Sequence, residues 1–274
     1  MTPTAAPCQM GAMEHAEPPG ARPVPAGDVD YEATGHGYAS GRRPDPRIEA
    51  LIHAALGEAR TVLNVGAGAG SYEPADREVV AVEPSARMRA QRPAGSAPVI
   101  DATAEDLPFA DSCFDAAMAV VTVHQWKDAS LGLRELRRVT TGPVVILTFD
   151  PGAVADWWAA DYLPDLFRAE AARYPRIESI RDALGGQVSV AAVPIPIDCT
   201  DGFTEAFYGR PEALLDPGVR AAQSAWQFAD PSAIAAGLDR LAADLSSGAW
   251  DARFGFLRTR PTFTGAVRLV VGKR

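Results

Sequence analysis

The residues that most constrain this chain are Thr61-Val-Leu-Asn-Val-Gly-Ala-Gly-Ala-Gly-Ser-Tyr72, where a β-favouring run passes straight into three alternating glycines. Such a run reads as a buried strand, and the glycines let the backbone turn at positive φ and bring a ligand close. The spacing excludes two other glycine loops. A dinucleotide loop of the form G-x-G-x-x-G needs its third glycine at position 71, but the glycines are Gly66, Gly68 and Gly70, and Ser71 follows. A phosphate loop ending in Gly-Lys-Ser/Thr is absent too, because no lysine occurs before Lys127.

Around this loop the chain alternates short apolar runs with helical patterns, which is how a parallel sheet covered by helices is written. Strands are expected at 61–65, 78–82, 98–100, 114–120, 144–149, 188–193 and 267–271. The first five are crowded into about 90 residues, as βαβ units require. The last two are separated by long helical stretches, 154–183 and 203–245, and Pro211 and Pro217 in the second are helix starts or turns. The expected fold is therefore α/β, a mostly parallel seven-stranded Rossmann-like sheet with helical lid insertions after the fifth and sixth strands. Residues 1–30, with Pro18, Pro19, Pro23 and Pro25 among small residues, read as a tail. Residues 31–274 read as one domain: a cap at 31–57, a ligand-binding core at 58–150, and lid segments at 151–187 and 202–250.

Glu83 ends the second expected strand roughly 20 residues beyond the loop, where a carboxylate can accept hydrogen bonds from both hydroxyls of a ribose. A nucleoside with little phosphate machinery around it points to S-adenosylmethionine. The ordered set Leu63-Asn-Val-Gly-Ala-Gly-Ala-Gly70, Val80-Ala-Val-Glu-Pro-Ser85, Ala104-Glu-Asp-Leu-Pro-Phe109, Phe114-Asp-Ala-Ala-Met118 and Val123-His-Gln-Trp126 resembles the motifs of class I S-adenosylmethionine-dependent methyltransferases over about residues 31–150. The resemblance implies that Gly66, Ala67 and Gly68 approach the methionine part and that Glu83 holds the ribose. Pro84 and Met88 would flank the adenine, with Thr103, Ala104 and Glu105 near its polar edge and Val121 closing the far side. In the cap it implies Tyr38 and one of the adjacent arginines, Arg42 or Arg43, with Arg43 taken as the contact. Asn64 and Thr103 stand where the family usually has acidic residues.

On the acceptor side, His124 follows the fourth expected strand at the sheet edge that faces a binding crevice. It is either a hydrogen-bonded, partly buried histidine or a general base that titrates near the ordinary ~6.5. Tyr31, Trp126, Trp158 and Phe207 are the aromatic candidates for the acceptor wall, with packing as the alternative for each. Asp198 and Asp201 read as a solvated turn closed by Gly202.

A formal net charge of −9 is the wrong sign for holding a polyanion, so a nucleic-acid partner is not expected. Three cysteines without C-x-x-C spacing suggest neither a disulfide framework nor a zinc site, and no metal is expected. A cytoplasmic enzyme without membrane association follows, a monomer or homodimer, moving a methyl from S-adenosylmethionine to O, N or C of a small molecule. The rival readings are a non-methylating catalyst of ring formation or rearrangement, a cofactor-binding protein without turnover, and a macromolecular methyltransferase.

Overall fold

The computed structural model describes residues 42–274. Helix α1 (Pro46–Ala55) starts where the Asp45 side chain accepts from the Arg47 amide at 2.9 Å and Pro46 supplies the first turn; it buries Ile48 and Ile52. Strand β1 (Thr61–Val65) pairs in parallel with β2 (Glu78–Val82) on one side and β4 (Ala116–Val120) on the other. A short α2 (Ala86–Ala90), capped by Ser85, leads to the edge strand β3 (Val99–Ile100), and α3 (Ala129–Val139), capped by Asp128, connects β4 to β5 (Val144–Phe149).

After β5 come α4 (Ala159–Tyr162), α5 (Pro164–Arg173) and α6 (Ile177–Leu184), then β6 (Gln187–Ala192) and β7 (Ile195–Pro196). The chain then forms 3-10 turns and helices α7 (Pro217–Ala221), α8 (Pro231–Ser247) and α9 (Ala249–Phe254) before β8 (Thr262–Phe263) and β9 (Val267–Lys273). The sheet order is β3-β2-β1-β4-β5-β9-β6, with β9 antiparallel to both of its neighbours.

Side-chain alternation divides the core between the two sheet faces. Met118, Val145 and Leu147 join Ile48, Ile52 and the aromatic residues of the later helices on one face. Ala117, Ala119, Val144 and Ile146 meet Leu133 and Leu136 of α3 and Ile180 and Leu184 of α6 on the other. The first five strands run in parallel, so the segments after β1, β2, β4 and β5 all emerge at one edge. No helix among the described residues is long and apolar enough to cross a membrane.

Three of the seven expected strands, 61–65, 78–82 and 144–149, have the bounds read from sequence; three others differ by one or two residues at one end, and 188–193 is shifted by one residue to Gln187–Ala192. The stretch 203–245 differs more. Pro211, Pro217 and Pro231 each begin a new turn or helix, so only α8 is long. The two-residue ribbon β7–β8 was not expected, because so short a pair carries no periodicity.

Helix α8 meets α4 through Gly237, where a Cβ would overlap the carbonyl oxygen of Tyr162. Gly237→Ala therefore overpacks this contact, and denaturant unfolding is expected to show a loss of about 1–3 kcal/mol. An unchanged midpoint would show that the two helices separate freely.

Candidate active site

The loop after β1 has positive φ at all three glycines: +68° at Gly66, +53° at Gly68 and +94° at Gly70. At Gly66 a Cβ would also overlap Thr122 Oγ1, so the loop packs directly on the segment after β4. The Gly66 and Ala67 amides donate to Val82 O at 2.9 and 3.0 Å, holding the loop against the end of β2. There Glu83 is buried, accepting from the Gly68 amide at 2.8 Å and the Ser85 amide at 2.9 Å. Burial raises its pKa, and the Ser85 and Gly68 amides oppose that rise. Each carboxylate oxygen keeps acceptor capacity for a ligand.

Below the loop, Arg92 pairs with Glu73 at 2.7 Å, and Asn64 Nδ2 donates to Glu73 at 3.0 Å. Asn64 Oδ1 is buried without a partner. Asn64, the glycine loop, Glu83, Met88 and Val121 line one cleft, together with Arg42, Tyr72, Thr122, Gln125 and Asp201.

The last group makes a second layer of order. Asp201 accepts from Arg42 Nε at 2.5 Å and from the Tyr72 hydroxyl at 2.9 Å, and the Tyr72 oxygen accepts from the Asp45 amide at 3.3 Å. Asp201 is 2 % exposed, a buried anchor where the sequence suggested a solvated turn; Asp198 is exposed and pairs with Arg47 at 2.7 Å. Burial first, then the Asp201 charge, pushes the Tyr72 phenol well above its ordinary value, so it remains a donor.

A second cavity adjoins the cleft and shares Arg42, Val121 and Gln125 with it. Its aromatic side is Phe149, Tyr174 and Phe203, with Phe149 5.3 Å from the Tyr174 ring and 5.6 Å from the Phe203 ring. Its polar side includes His124, Glu170 and Arg173. Burial, with the Arg173 and Arg42 charges added, holds the His124 imidazole well below its ordinary value, so it is neutral at physiological pH. This corrects the expected titration near ~6.5. Burial pushes Glu170 up to about 7 despite Arg173 and Arg42.

Comparison with known proteins agrees with this geometry. Residues 63–145 match the model of a methyltransferase domain family. Over 86% of its length the chain superposes on the whole of a protein from Anabaena variabilis, described as a methyltransferase of an antibiotic biosynthesis pathway, with a TM-score of 0.79 and 27% identity. The chain carries a class I S-adenosylmethionine-dependent methyltransferase domain. Two malonyl-[acyl-carrier protein] O-methyltransferases are also similar. The one from Pseudescherichia vulneris is 30% identical over 165 residues, 54% of this chain and 64% of that protein. The one from Erwinia pyrifoliae is 34% identical over 118 residues, 40% and 45% respectively. The matched part thus spans less than two thirds of either relative.

Of the residues expected to serve the methyltransferase domain's cofactor, S-adenosylmethionine, Gly66, Ala67, Gly68, Glu83, Met88 and Val121 line the cleft. Arg43 does not: it is exposed, and Arg42 is the arginine at the cleft, turned in by its pairing with Asp201. Pro84, Thr103, Ala104 and Glu105 lie outside the lining. Pro84 O accepts from Arg89 at 2.8 Å, Thr103 O accepts from the Asp106 amide, and Glu105 accepts from the Asp128 amide ahead of α3.

Of the aromatic residues expected at the acceptor, Trp126, Trp158 and Phe207 lie outside the lining of the second cavity. Trp126 packs on Ala104 and on Gly132 of α3, where a Cβ would overlap its ring. Trp158 is buried among Trp157, Tyr162 and Trp250 and donates to Tyr208 O at 2.8 Å. Phe207 lies under Arg210. Trp158 is core, Trp126 and Phe207 are half-buried against it, and His124 does line the second cavity. Tyr31 and Tyr38 lie outside the described residues. Thr122, Glu170 and Arg173, which line these cavities and were missed by sequence reading, belong to no motif, and Tyr72 ends the glycine-loop stretch with no role read for it; only nearness to motif segments or to the aromatic stretch after β5 marked the other three. No group of three or more His, Cys, Asp or Glu among the described residues has metal-holding geometry.

Two outcomes follow. Asp201→Asn removes the charge beneath Arg42, and chemical denaturation should show a loss of about 3 kcal/mol, the scale of breaking a buried pair; no change would mean the pair is incidental. Glu205, 3 % exposed, accepts from the Ala266 amide at 2.8 and 3.0 Å, and burial pushes it up to about 8. With Glu170 and Glu205 both raised above the ordinary carboxylate value, the native state holds extra protons and stability falls as pH rises through their folded values. The lowered His124 acts only on the acid side of ~6.5. The melting temperature should therefore drop between pH 7 and pH 8.5, and less so in Glu205→Gln.

Proposed function

We propose that the chain transfers a methyl group from S-adenosylmethionine to an O, N or C atom of a small-molecule acceptor in specialised metabolism. The observation that carries this reading is the meeting of two cavities along Arg42, Val121 and Gln125. One has the features a nucleoside and an amino acid require, and the other is smaller and mixed aromatic and polar. Val121, between them, is a β-branched residue at φ +51°, a costly conformation of the kind that collects at functional sites.

The residues present fit the cofactor. Glu83 would accept from the ribose hydroxyls, Met88 would pack on the adenine, and the backbone of Gly66 to Gly68 would face the methionine part. Asn64 Oδ1, buried without a partner at the cleft, suits an ammonium donor. When bound, the cofactor supplies a methyl group on a positively charged sulfur, open to in-line displacement. The chain's contribution is to hold the acceptor in near-attack geometry beside Val121 and to exclude water from the aromatic side of the second cavity. His124, neutral at the acceptor cavity, serves the acceptor directly, as the base for a hydroxyl that must lose its proton or as a contact for a group already ionised.

The likeness to the Anabaena variabilis protein supports specialised metabolism. The two similar O-methyltransferases support oxygen as the accepting atom. We propose a monomer or homodimer with no nucleic-acid partner, acting in the cytoplasm, with segments 151–187 and 202–250 as the lid over the acceptor.

Calorimetric titration with S-adenosylhomocysteine tests the reading. Binding should be unaffected by chelator, weakened by about 1.5–3 kcal/mol in Glu83→Ala, and blocked in Gly68→Val, where φ +53° strains a branched side chain. Wild-type affinity in both variants would remove the cofactor assignment.

A further inference from the structure

We infer that the open edge of β6 is a self-pairing surface, through which two copies of the chain join as an antiparallel, two-fold dimer with one sheet running through both. The inference goes beyond methyl transfer and does not depend on it; it selects the homodimer and names the surface that makes it. Three observations carry it.

The first is an unused row of backbone groups. The Val193 amide donates to Val267 O at 3.0 Å, and the register continues through Ala191↔Leu269, Ser189↔Val271 and Gln187↔Lys273. Bonded pairs alternate with unbonded ones in an antiparallel ladder, so these residues turn their N–H and C=O groups toward β9. Val188, Val190 and Ala192 turn theirs away from it. Among the described residues nothing pairs with that outer side. Donors and acceptors thus stand in a row, a template for another strand.

The second is that nothing blunts this edge. Gln187-Val-Ser-Val-Ala-Ala192 carries no charge and no proline, and Gln187, Ser189, Ala191 and Ala192 are exposed. Its pairing with β9 runs unbroken from Gln187 to Ala192, without a bulge that would twist the edge away. The opposite edge of the sheet, β3, has only 2 residues. An edge strand left long and neutral invites pairing, and charge, proline, bulging or brevity is how such pairing is usually prevented. No residue of β6 lines either cavity, so pairing there leaves the site accessible.

The third is that the strand fits itself. A two-fold axis perpendicular to the sheet keeps each face on its own side, so residues opposed across it must share a face. With the axis at Val190, that residue meets Val190 of the partner subunit, Val188 meets Ala192 of the partner subunit, and Ser189 meets Ala191 of the partner subunit. Every outward N–H and C=O of Val188, Val190 and Ala192 is then bonded, and none is left over. Val188 and Val190 already pack on the face that α6 covers through Ile180 and Leu184, and the pairing extends that apolar face across the axis. The opposed side chains are small and uncharged, so no like charges meet. An isologous contact of this kind closes on itself, which makes the occupant one second copy and not an open series of copies.

Sedimentation velocity of the full chain over a concentration series tests the inference, read together with amide exchange by NMR. A ladder of 6 residues is small for an interface, so dimers should form above about 10 μM and dissociate on dilution. Exchange at Val188, Val190 and Ala192 should slow with concentration more than exchange at Ser189 and Ala191, whose amides already bond to β9. Ala192→Pro removes an outward N–H and no bond of the folded chain; it should weaken dimerisation about tenfold or more while the monomer keeps its melting temperature. Ser189→Lys combined with Ala191→Lys sets like charges against each other across the axis and should abolish the dimer. Ser189→Lys combined with Ala191→Glu sets opposite charges there and should restore it. A monomer at every concentration, a dimer that both double variants keep equally, or assembly beyond the dimer would overturn the inference. S-adenosylhomocysteine affinity should be the same in all of these variants, so failure of the dimer and failure of the methyl-transfer reading show separately.

Discussion

The site depends on one buried carboxylate. Asp201 lies after β7, yet it holds Arg42 from the amino-terminal segment and the hydroxyl of Tyr72, which directly follows the glycine loop. Tyr72 in turn accepts from the Asp45 amide at the start of α1, and its own carbonyl lies 3.0 Å from His53 Nε2. A charge this deeply buried is tolerated only with its partners in place. The pairing therefore fixes three segments, far apart in sequence, around one cleft. Its removal would free Arg42, the side chain common to both cavities, from its orientation.

The sheet supplies the rest. Parallel strands deliver their carboxyl ends to one edge, and the chain departs from regular geometry there. Gly66, Gly68 and Gly70 are at positive φ, and so are Tyr72 and Val121, which pay a steric penalty that glycine does not. The packing of Gly66 against Thr122 binds the loop after β1 to the segment after β4. Any shift of one cavity wall is thus felt by the other through well-packed contacts. The aromatic rings around Trp158 and Trp250 belong to the same core as Ile48, Ile52 and Met118, and Trp157 in that set packs 5.6 Å from the Phe167 ring of α5, the helix that carries Glu170 and Arg173.

Local pattern made the sheet legible. Runs such as Val144 to Phe149 are apolar throughout because both faces are covered, and the glycines after Val65 announce the loop. The lining of the first cleft was legible for the same reason, since Gly66, Gly68, Glu83 and Met88, which all line it, stand at short, ordered spacings. The lining of the second cavity was not. Trp126, Trp158 and Phe207 carry the residue types of a binding wall, but a large ring buries as readily in a core, and only three-dimensional packing separates the two fates. Arg42 and Arg43 are adjacent and chemically alike; a partner 159 residues away decides between them. Glu170 and Arg173 gave no signal because their meaning comes from burial and field, which arise only once α5 is packed against the segment 203–225.

The central claim is that the glycine-loop cleft holds the cofactor and the adjoining cavity holds the acceptor, with Val121 between them. A crystal structure of the chain soaked with S-adenosylhomocysteine tests it most directly. The account predicts ribose hydroxyls on the Glu83 carboxylate, the amino-acid part against Gly66 to Gly68 with its ammonium at Asn64 Oδ1, and the sulfur directed past Val121 toward His124 and Arg173. A ligand found elsewhere, or one whose sulfur faces away from the second cavity, would contradict it.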